Sequence, residues 1–210
     1  MDLVNSTILH VDNRYEVGLP WIDRDVNLPN NYSSALRRFY QLEKKFKGDS
    51  NFAVCYQKII DEYTEKGFAR KLKFSELKAP HPRSWYLPHH GVLNAQKPDK
   101  VQVVFDASAR HVFVSLNSVL LKGPNLLVDL NIILTRFRQR AIPISADIAK
   151  MFLQVKVKPE DQPAFRFIWR PPGVDVAPHT YQMMVRFLLR LFVATFFVAR
   201  LRTINICIPT

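Results

Sequence analysis

Carboxylates are scarce in this chain, and one of them stands where chemistry is often done. Asp147 closes the run Ile142-Pro143-Ile144-Ser145-Ala146-Asp147. On a strand this places Ile142, Ile144 and Ala146 on one face, with Ser145 and Asp147 on the other. From pattern alone, such an Asp is a strand-end residue satisfied by backbone amides. After it the only carboxylates are Glu160, Asp161 and Asp175. Glu160 and Asp161 fall in the turn Pro159-Glu160-Asp161-Gln162, where solvent is the expected partner. Phosphoryl transfer by two metal ions needs several carboxylates around ions about 4 Å apart. No two Asp residues are adjacent anywhere in the sequence.

Other constellations are weaker. His89-His90 cannot grip one ion from an extended strand, because neighbouring side chains point to opposite faces; a structural role is expected. Cys55 and Cys207 lie far apart, in neither metal-ligand spacing nor a disulfide framework, which fits a reducing compartment. No Asp is followed by Ser or Thr and then Gly, so the loop of a retroviral-type aspartic protease is absent. Gly-rich phosphate loops and Ser-His-Asp arrangements are unsupported as well.

The elements that must position these residues follow from periodicity. Residues 1–29 read as an extended lead-in that packs Trp21 or Tyr15 against the elements downstream of it. From Asn31, a fair N-cap, Leu36, Phe39, Tyr40, Leu42 and Phe46 recur at helical spacing, with Arg37, Arg38, Lys44, Lys45 and Lys47 between them. Gly48 closes this helix. Ser50 can cap a second one carrying Phe52, Tyr56, Ile59, Ile60 and Tyr63, with Gly67 as its terminating glycine. Pro80, Pro82 and Pro88 then impose extended chain. Val92-Leu93 and Val101–Phe105 flank a turn at Lys97-Pro98-Asp99-Lys100, a hairpin signal. Gly123-Pro124-Asn125 opens a third helix over 125–139, whose buried stripe would be Leu126, Leu127, Leu130, Ile133, Leu134 and Phe137. Arg136, Arg138 and Arg140 crowd its C-terminal end. That helix is expected to pack on strands at 101–106, 142–148 and 152–157, with another strand at 165–169.

Composition narrows the partners. The 210 residues carry 30 Lys+Arg against 18 Asp+Glu, a net charge of +12. That excess suggests a polyanion, nucleic acid above all. The hydrophobic share of 48% excludes wholesale disorder. No signal peptide is visible, and the longest apolar run, Leu191–Ala199, is far short of the roughly 20 residues that span a bilayer. The sequence reads as soluble and intracellular, cytoplasmic or nuclear, with no membrane partner.

Three long segments carry a specific resemblance. YLPHHGVLNAQKPDKVQVVFDASA, VSLNSVLLKGPNLLVDL and RFRQRAIPISADIAKMFLQVKVKPEDQPAFRFIWR resemble the reverse transcriptase of BEL/Pao-type LTR retrotransposons. The upstream RYEVGLPW and LPNNYSSALRRFYQLEKKF are similar to the segment those polyproteins place between protease and polymerase. The likeness covers about residues 13–184. It implies an α+β, right-hand polymerase fold: fingers plus an incomplete palm. The implied organisation is a lead-in over 1–29, a helical hairpin of the fingers region over 30–80, the fingers/palm core over 81–170 and a degenerate piece over 171–210.

The resemblance also assigns roles. Asp147 matches the first catalytic aspartate, with Ile148 offering its carbonyl to the same Mg²⁺, an ion that prefers such oxygen ligands. Phe152 matches the aromatic gate against a ribose 2′-hydroxyl; the alternative is a core aromatic. Lys97, Lys100, Gln102, Asp106 and Gln154 fall at nucleotide-binding positions, although Lys97 and Lys100 also read as solubilising turn lysines. The chain departs from the family at Gln102, where an arginine would pair with phosphate. Gln carries no charge and lacks the guanidinium fork. Mg²⁺, dNTP and an RNA/DNA template-primer are the implied ligands, and the element polyprotein is a further partner. The second catalytic carboxylate pair, thumb, connection and RNase H are missing, so the chain alone is expected to be inactive. The alternative is a non-catalytic nucleic-acid-binding or interaction module derived from a transposable element.

From Val185 to Thr210 there is no Lys and no acidic residue. Codons for Val185–Arg190, read one base upstream, permit Gly-Ala-Ile-Ser-Ser-Pro, close to the family's next motif. A frameshifted tail is therefore expected; the alternative is a helix over Phe187–Val198.

Overall fold

The computed structural model describes residues 8–11, 14–78, 81–94, 97–122, 129–139 and 150–185. The chain is mixed α and β, in two compact units divided at Leu121/Lys122 and at Met151/Phe152. Nearly all the described fold belongs to the unit that holds residues up to 121 and from 152 onward.

In that unit, amphipathic periodicity places both helices, although Tyr40 of the expected apolar stripe is exposed. α1, Tyr32–Gly48, buries Ala35, Phe39, Leu42 and Phe46, and α2, Ser50–Glu65, buries Phe52, Ala53, Tyr56 and Ile60. Gly67 comes next with φ +66°, the left-handed conformation that favours glycine. The caps differ from expectation. Asp49, not Ser50, caps α2, accepting from the Phe52 amide at 2.9 Å. Asn31 makes no side-chain cap; its amide instead pairs both ways with the Tyr86 backbone, at 2.7 and 2.8 Å. A carboxylamide can satisfy one backbone donor and one acceptor together, and that ties the start of α1 to residue 86.

Three small sheets surround the helical pair. β1 (Leu9–Val11) and β2 (Arg14–Val17) form an antiparallel pair, and β2 runs parallel to β6 (Val155–Val157), with Tyr15 opposite Val155. The lead-in is thus sheet-forming. β3 (Ala69–Lys71) and β7 (Arg166–Trp169) flank the central β8 (His179–Met183), all antiparallel. β4 (His89–Asn94) and β5 (Lys97–Phe105) are the predicted hairpin. The short helix α3, Phe74–Lys78, has no counterpart among the elements expected from periodicity.

Several boundaries move. Residues 97–100 are strand rather than turn, with Lys97 paired to Asn94. Pro98 is tolerated there because the register shifts between Leu93, opposite Val101, and Asn94, opposite Lys97, an irregularity of the kind that admits proline. Met151–Gln154 forms a 3-10 turn after Lys150 at φ 51°, so only Val155–Val157 is strand. Pro163 starts a second 3-10 turn, Gln162–Phe165, which delays β7 to Arg166. In the second unit, α4 spans Leu130–Phe137 behind an Asp129 cap, and Leu130, Ile133, Leu134 and Phe137, expected as a buried stripe, are exposed. The expected strand at 142–148 and the tail beyond 185 lie outside the described residues. Val185 itself is buried and bridges Lys156, so the fold takes in the first residue of the segment expected to be frameshifted.

The core is aromatic. Tyr56 stacks on Trp169 with centroids 5.3 Å apart, and Phe46 meets both edge-on. Phe52 continues the cluster toward the β4–β5 hairpin. A Cβ on Gly91 would fall 2.5 Å from the Phe52 ring, so any larger residue there would force the ring to move.

One turn is built from unsuitable residues. His111 and Val114 exchange backbone hydrogen bonds of 2.8 and 3.0 Å around Val112 (φ 47°) and Phe113 (φ 65°). Positive φ at both central positions is the geometry that Asn-Gly adopts with ease and a β-branched residue resists. Phe113 is 93% exposed and recovers nothing by burial. The double substitution Val112→Asn/Phe113→Gly should raise stability by about 1–3 kcal/mol, read as a higher urea midpoint at unchanged m-value; equal or lower stability would show that the turn is not strained.

Candidate functional site

The sequence-predicted site residues divide into three groups. Asp147 and Ile148 lie outside the described residues, as do the side chains of Lys97 and Lys100. Gln102, Asp106, Phe152 and Gln154 are described. β5 buries Val101, Val103 and Phe105, while Gln102 on the opposite face is exposed. The hairpin therefore offers an amide, not a guanidinium, to solvent at this position. Phe152 is half-buried and Gln154 exposed, both on the 3-10 turn ahead of β6.

Asp106 ends β5 and is already engaged. Its Oδ1 accepts from the Ser108 amide at 3.0 Å and hydroxyl at 2.5 Å, and its Oδ2 pairs with Arg38 at 2.9 Å. Burial works to raise this carboxyl, but the hydrogen bonds from Ser108 and Arg38 outweigh it and hold the group below the usual Asp value. Asp106 thus acts as an anchor between α1 and the hairpin.

The acidic turn after β6 corrects the sequence-based expectation most sharply. Asp161 is not solvated: it is 3% exposed. One carboxylate oxygen accepts from the Leu19 amide at 2.6 Å. The other takes the Trp21 indole N–H at 2.7 Å and the Arg83 guanidinium at 2.9 Å. Arg83 lies over the Trp21 ring, 5.1 Å from its centroid, and its other arm donates to the Arg24 carbonyl. The lead-in winds past the β6–β7 turn, leaving unpaired donors that only a buried anion can satisfy together. No local signal gave this away, because its partners lie about 80 and 140 residues distant in sequence.

Asp147 and Ile148, the residues that the resemblance assigns to Mg²⁺, lie outside the described residues. Asp161 is saturated by three donors and Asp106 by Arg38 and Ser108. Among the described residues no group of three or more His, Cys, Asp or Glu could hold a metal ion. Asp106 and Asp161 are both committed to protein donors.

His89 and His90 divide as expected. His90 is exposed, whereas His89 is buried among Phe39, Tyr56, Phe105, Phe167 and Trp169. Its Nε2 lies 2.9 Å from the Ile168 carbonyl, which can only accept, so Nε2 carries the proton. Nδ1 then accepts from the Tyr56 hydroxyl at 2.5 Å. The ring is neutral, linking α2, β4 and β7. Burial pushes its pKa down to about 4.

No protein-family model and no curated protein matches the chain. No helix among the described residues is long and apolar enough to cross a membrane.

The pH response of His89 is set by its two states. Its folded pKa of about 4 lies below the ordinary 6.5, so between those values the unfolded chain binds more protons. Its contribution is complete above 6.5 and is lost as pH falls toward 4. Wild type should lose about 2 kcal/mol from this group between roughly pH 7 and 5. His89→Gln should be weaker at neutral pH but flatter across that window. Urea unfolding at both pH values checks this, and parallel curves for the two proteins would contradict it.

Proposed function

We propose that this chain is a fragment of an RNA-directed DNA polymerase of the BEL/Pao retrotransposon type, folded as fingers with the beginning of a palm, and inactive in nucleotidyl transfer by itself. The observation that carries the reading is the β4–β5 hairpin seated on the α1–α2 helical pair. Residues 86–109, one of the stretches that resemble the family, include this hairpin. Gly91 permits its close seat on Phe52, and the Asp106–Arg38 pair fixes its end.

Inactivity has two physical reasons. The described carboxylates after Asp147 do not complete a two-ion site, and no adjacent Asp pair occurs in the sequence. Gln102 faces solvent where phosphate recognition would call for an arginine, and an amide gives neither charge nor a bidentate fork. Asp147 is assigned to the first metal-ligand position on resemblance alone.

A second reading is a nucleic-acid-binding module without catalysis. The separation of charge between the two helices favours it: α1 carries five basic residues and one acidic, whereas α2 carries Lys58 against Asp61, Glu62 and Glu65. Both readings require binding to a polyanion.

Purified full chain, a labelled primer on an RNA template, dNTPs and Mg²⁺ provide the test. The expected result is template-primer binding that weakens steeply with salt, because phosphate contacts release counterions, and no extension of the primer. Templated extension that disappears in Asp147→Asn would overturn the inactive assignment. Absence of binding at low salt would remove both readings.

A further inference from the structure

The outer face of α1 is organised in a way that solubility does not require. Arg37, Tyr40, Lys44 and Lys47 succeed one another at helical spacing, so they line one side of the helix. That side lies opposite the buried row of Ala35, Phe39, Leu42 and Phe46. All four outer residues are exposed, and Tyr40 is the one large exposed apolar or aromatic side chain of α1.

The flanks of the helix are treated differently. On one side Arg38 is paired with Asp106, and on the other Glu43 is held by Arg170 through two contacts of 2.6 and 2.9 Å. The only acidic residue of α1 is thereby neutralised from outside the helix. Among the described residues no carboxylate pairs with Arg37, Lys44 or Lys47. Lys47 falls in the last turn, where the helix dipole accounts for a cation. Arg37 and Lys44 are mid-helix, where it does not.

We infer that this face is a binding surface for single-stranded nucleic acid, with Arg37, Lys44 and Lys47 on phosphates and the Tyr40 ring stacking on a base. The inference rests on the nucleic-acid-binding reading above and assigns it a location. A ridge of cations with an aromatic ring among them is the pattern such binding uses, since every base offers a π-face and the backbone offers the charge. A membrane surface fits worse. Amphipathic helices that lie on bilayers bury an apolar face in lipid, and the apolar face of α1 is already spent on the protein core.

Fluorescence anisotropy with a labelled oligouridylate tests the inference on the full chain. Heparin serves as a polyanion without bases, and phosphatidylserine vesicles as the lipid comparison. Arg37→Ala/Lys44→Ala/Lys47→Ala should lower the magnitude of the log K versus log salt slope by about 2, at roughly 0.7 per lost contact to a single strand. Lys71→Ala/Lys73→Ala/Lys78→Ala removes equal charge elsewhere and should leave the slope unchanged. Tyr40→Ala should weaken oligouridylate binding by at least about fivefold, leave heparin binding unchanged, and be rescued by Tyr40→Phe. Circular dichroism at each variant's working temperature confirms folding.

Equal loss in both triple variants would mean that net charge alone binds, and would overturn the inference. So would vesicle binding in preference to the oligonucleotide, or a Tyr40→Ala effect as large on heparin as on RNA. Oligonucleotide binding that survives the α1 variants intact would refute this surface while leaving the nucleic-acid-binding reading standing. Failure of the unaltered chain to bind would defeat both.

Discussion

A buried carboxylate with three donors around it is the constraint on which the arrangement of the main unit depends. Asp161 joins pieces of chain that share no local sequence relation: the lead-in through Leu19 and Trp21, the proline-rich connection through Arg83, and its own turn between β6 and β7. Beside it, β2 lies parallel to β6, and the Lys158 amide reaches back to the Val17 carbonyl at 3.2 Å. Parallel pairing between strands so far apart in sequence is entropically costly to close. A charge in a site this dry is tolerated only while each oxygen is satisfied, and removing one partner of such a pair typically costs about 3–5 kcal/mol. The clasp therefore sets the register of the lead-in against the rest of the unit.

The aromatic core transmits that order to the hairpin. His89 sits where α2, β4 and β7 converge, with its two nitrogens committed to Tyr56 and to the Ile168 carbonyl. Gly91, two residues on, leaves room for the Phe52 ring. Arg170 then clamps Glu43, fixing α1 against the end of β7. The hairpin's Gln102 face and the outer ridge of α1 are both presented to solvent by elements that bury Val101, Val103 and Phe105, and Ala35, Phe39, Leu42 and Phe46, on their other sides.

Much of this was legible in the sequence, and the reasons are physical. The 3.6-residue period of Phe39, Leu42 and Phe46, and of Phe52, Tyr56 and Ile60, specified α1 and α2, because each stripe is wide enough to be buried on its own terms. The hairpin was visible from its β-branched runs. The separation of His89 from His90 came from strand alternation. What failed depended on distant partners. Asp161 looks like any turn carboxylate until Trp21 and Arg83 come near it, and Asn31, which does stand at the N-cap, spends its side chain on the Tyr86 backbone instead of the helix. Lys97–Lys100 reads as a turn because Pro98 and Asp99 carry turn propensity, whereas it extends β5 beyond the register shift beside Asn94. The candidate metal position, Asp147, gains no geometric support, since it lies outside the described residues.

The most direct test of the account is a double-mutant cycle on the clasp, with Asp161→Ala, Arg83→Ala and the double variant compared by equilibrium urea unfolding near neutral pH. Asp161→Ala should cost about 3–5 kcal/mol. The double variant should cost less than the sum of the singles by about 1–3 kcal/mol, as expected for residues that share one network. A loss within about 0.5 kcal/mol for Asp161→Ala, the value of an ordinary surface substitution, would contradict the claim that this carboxylate holds the unit together.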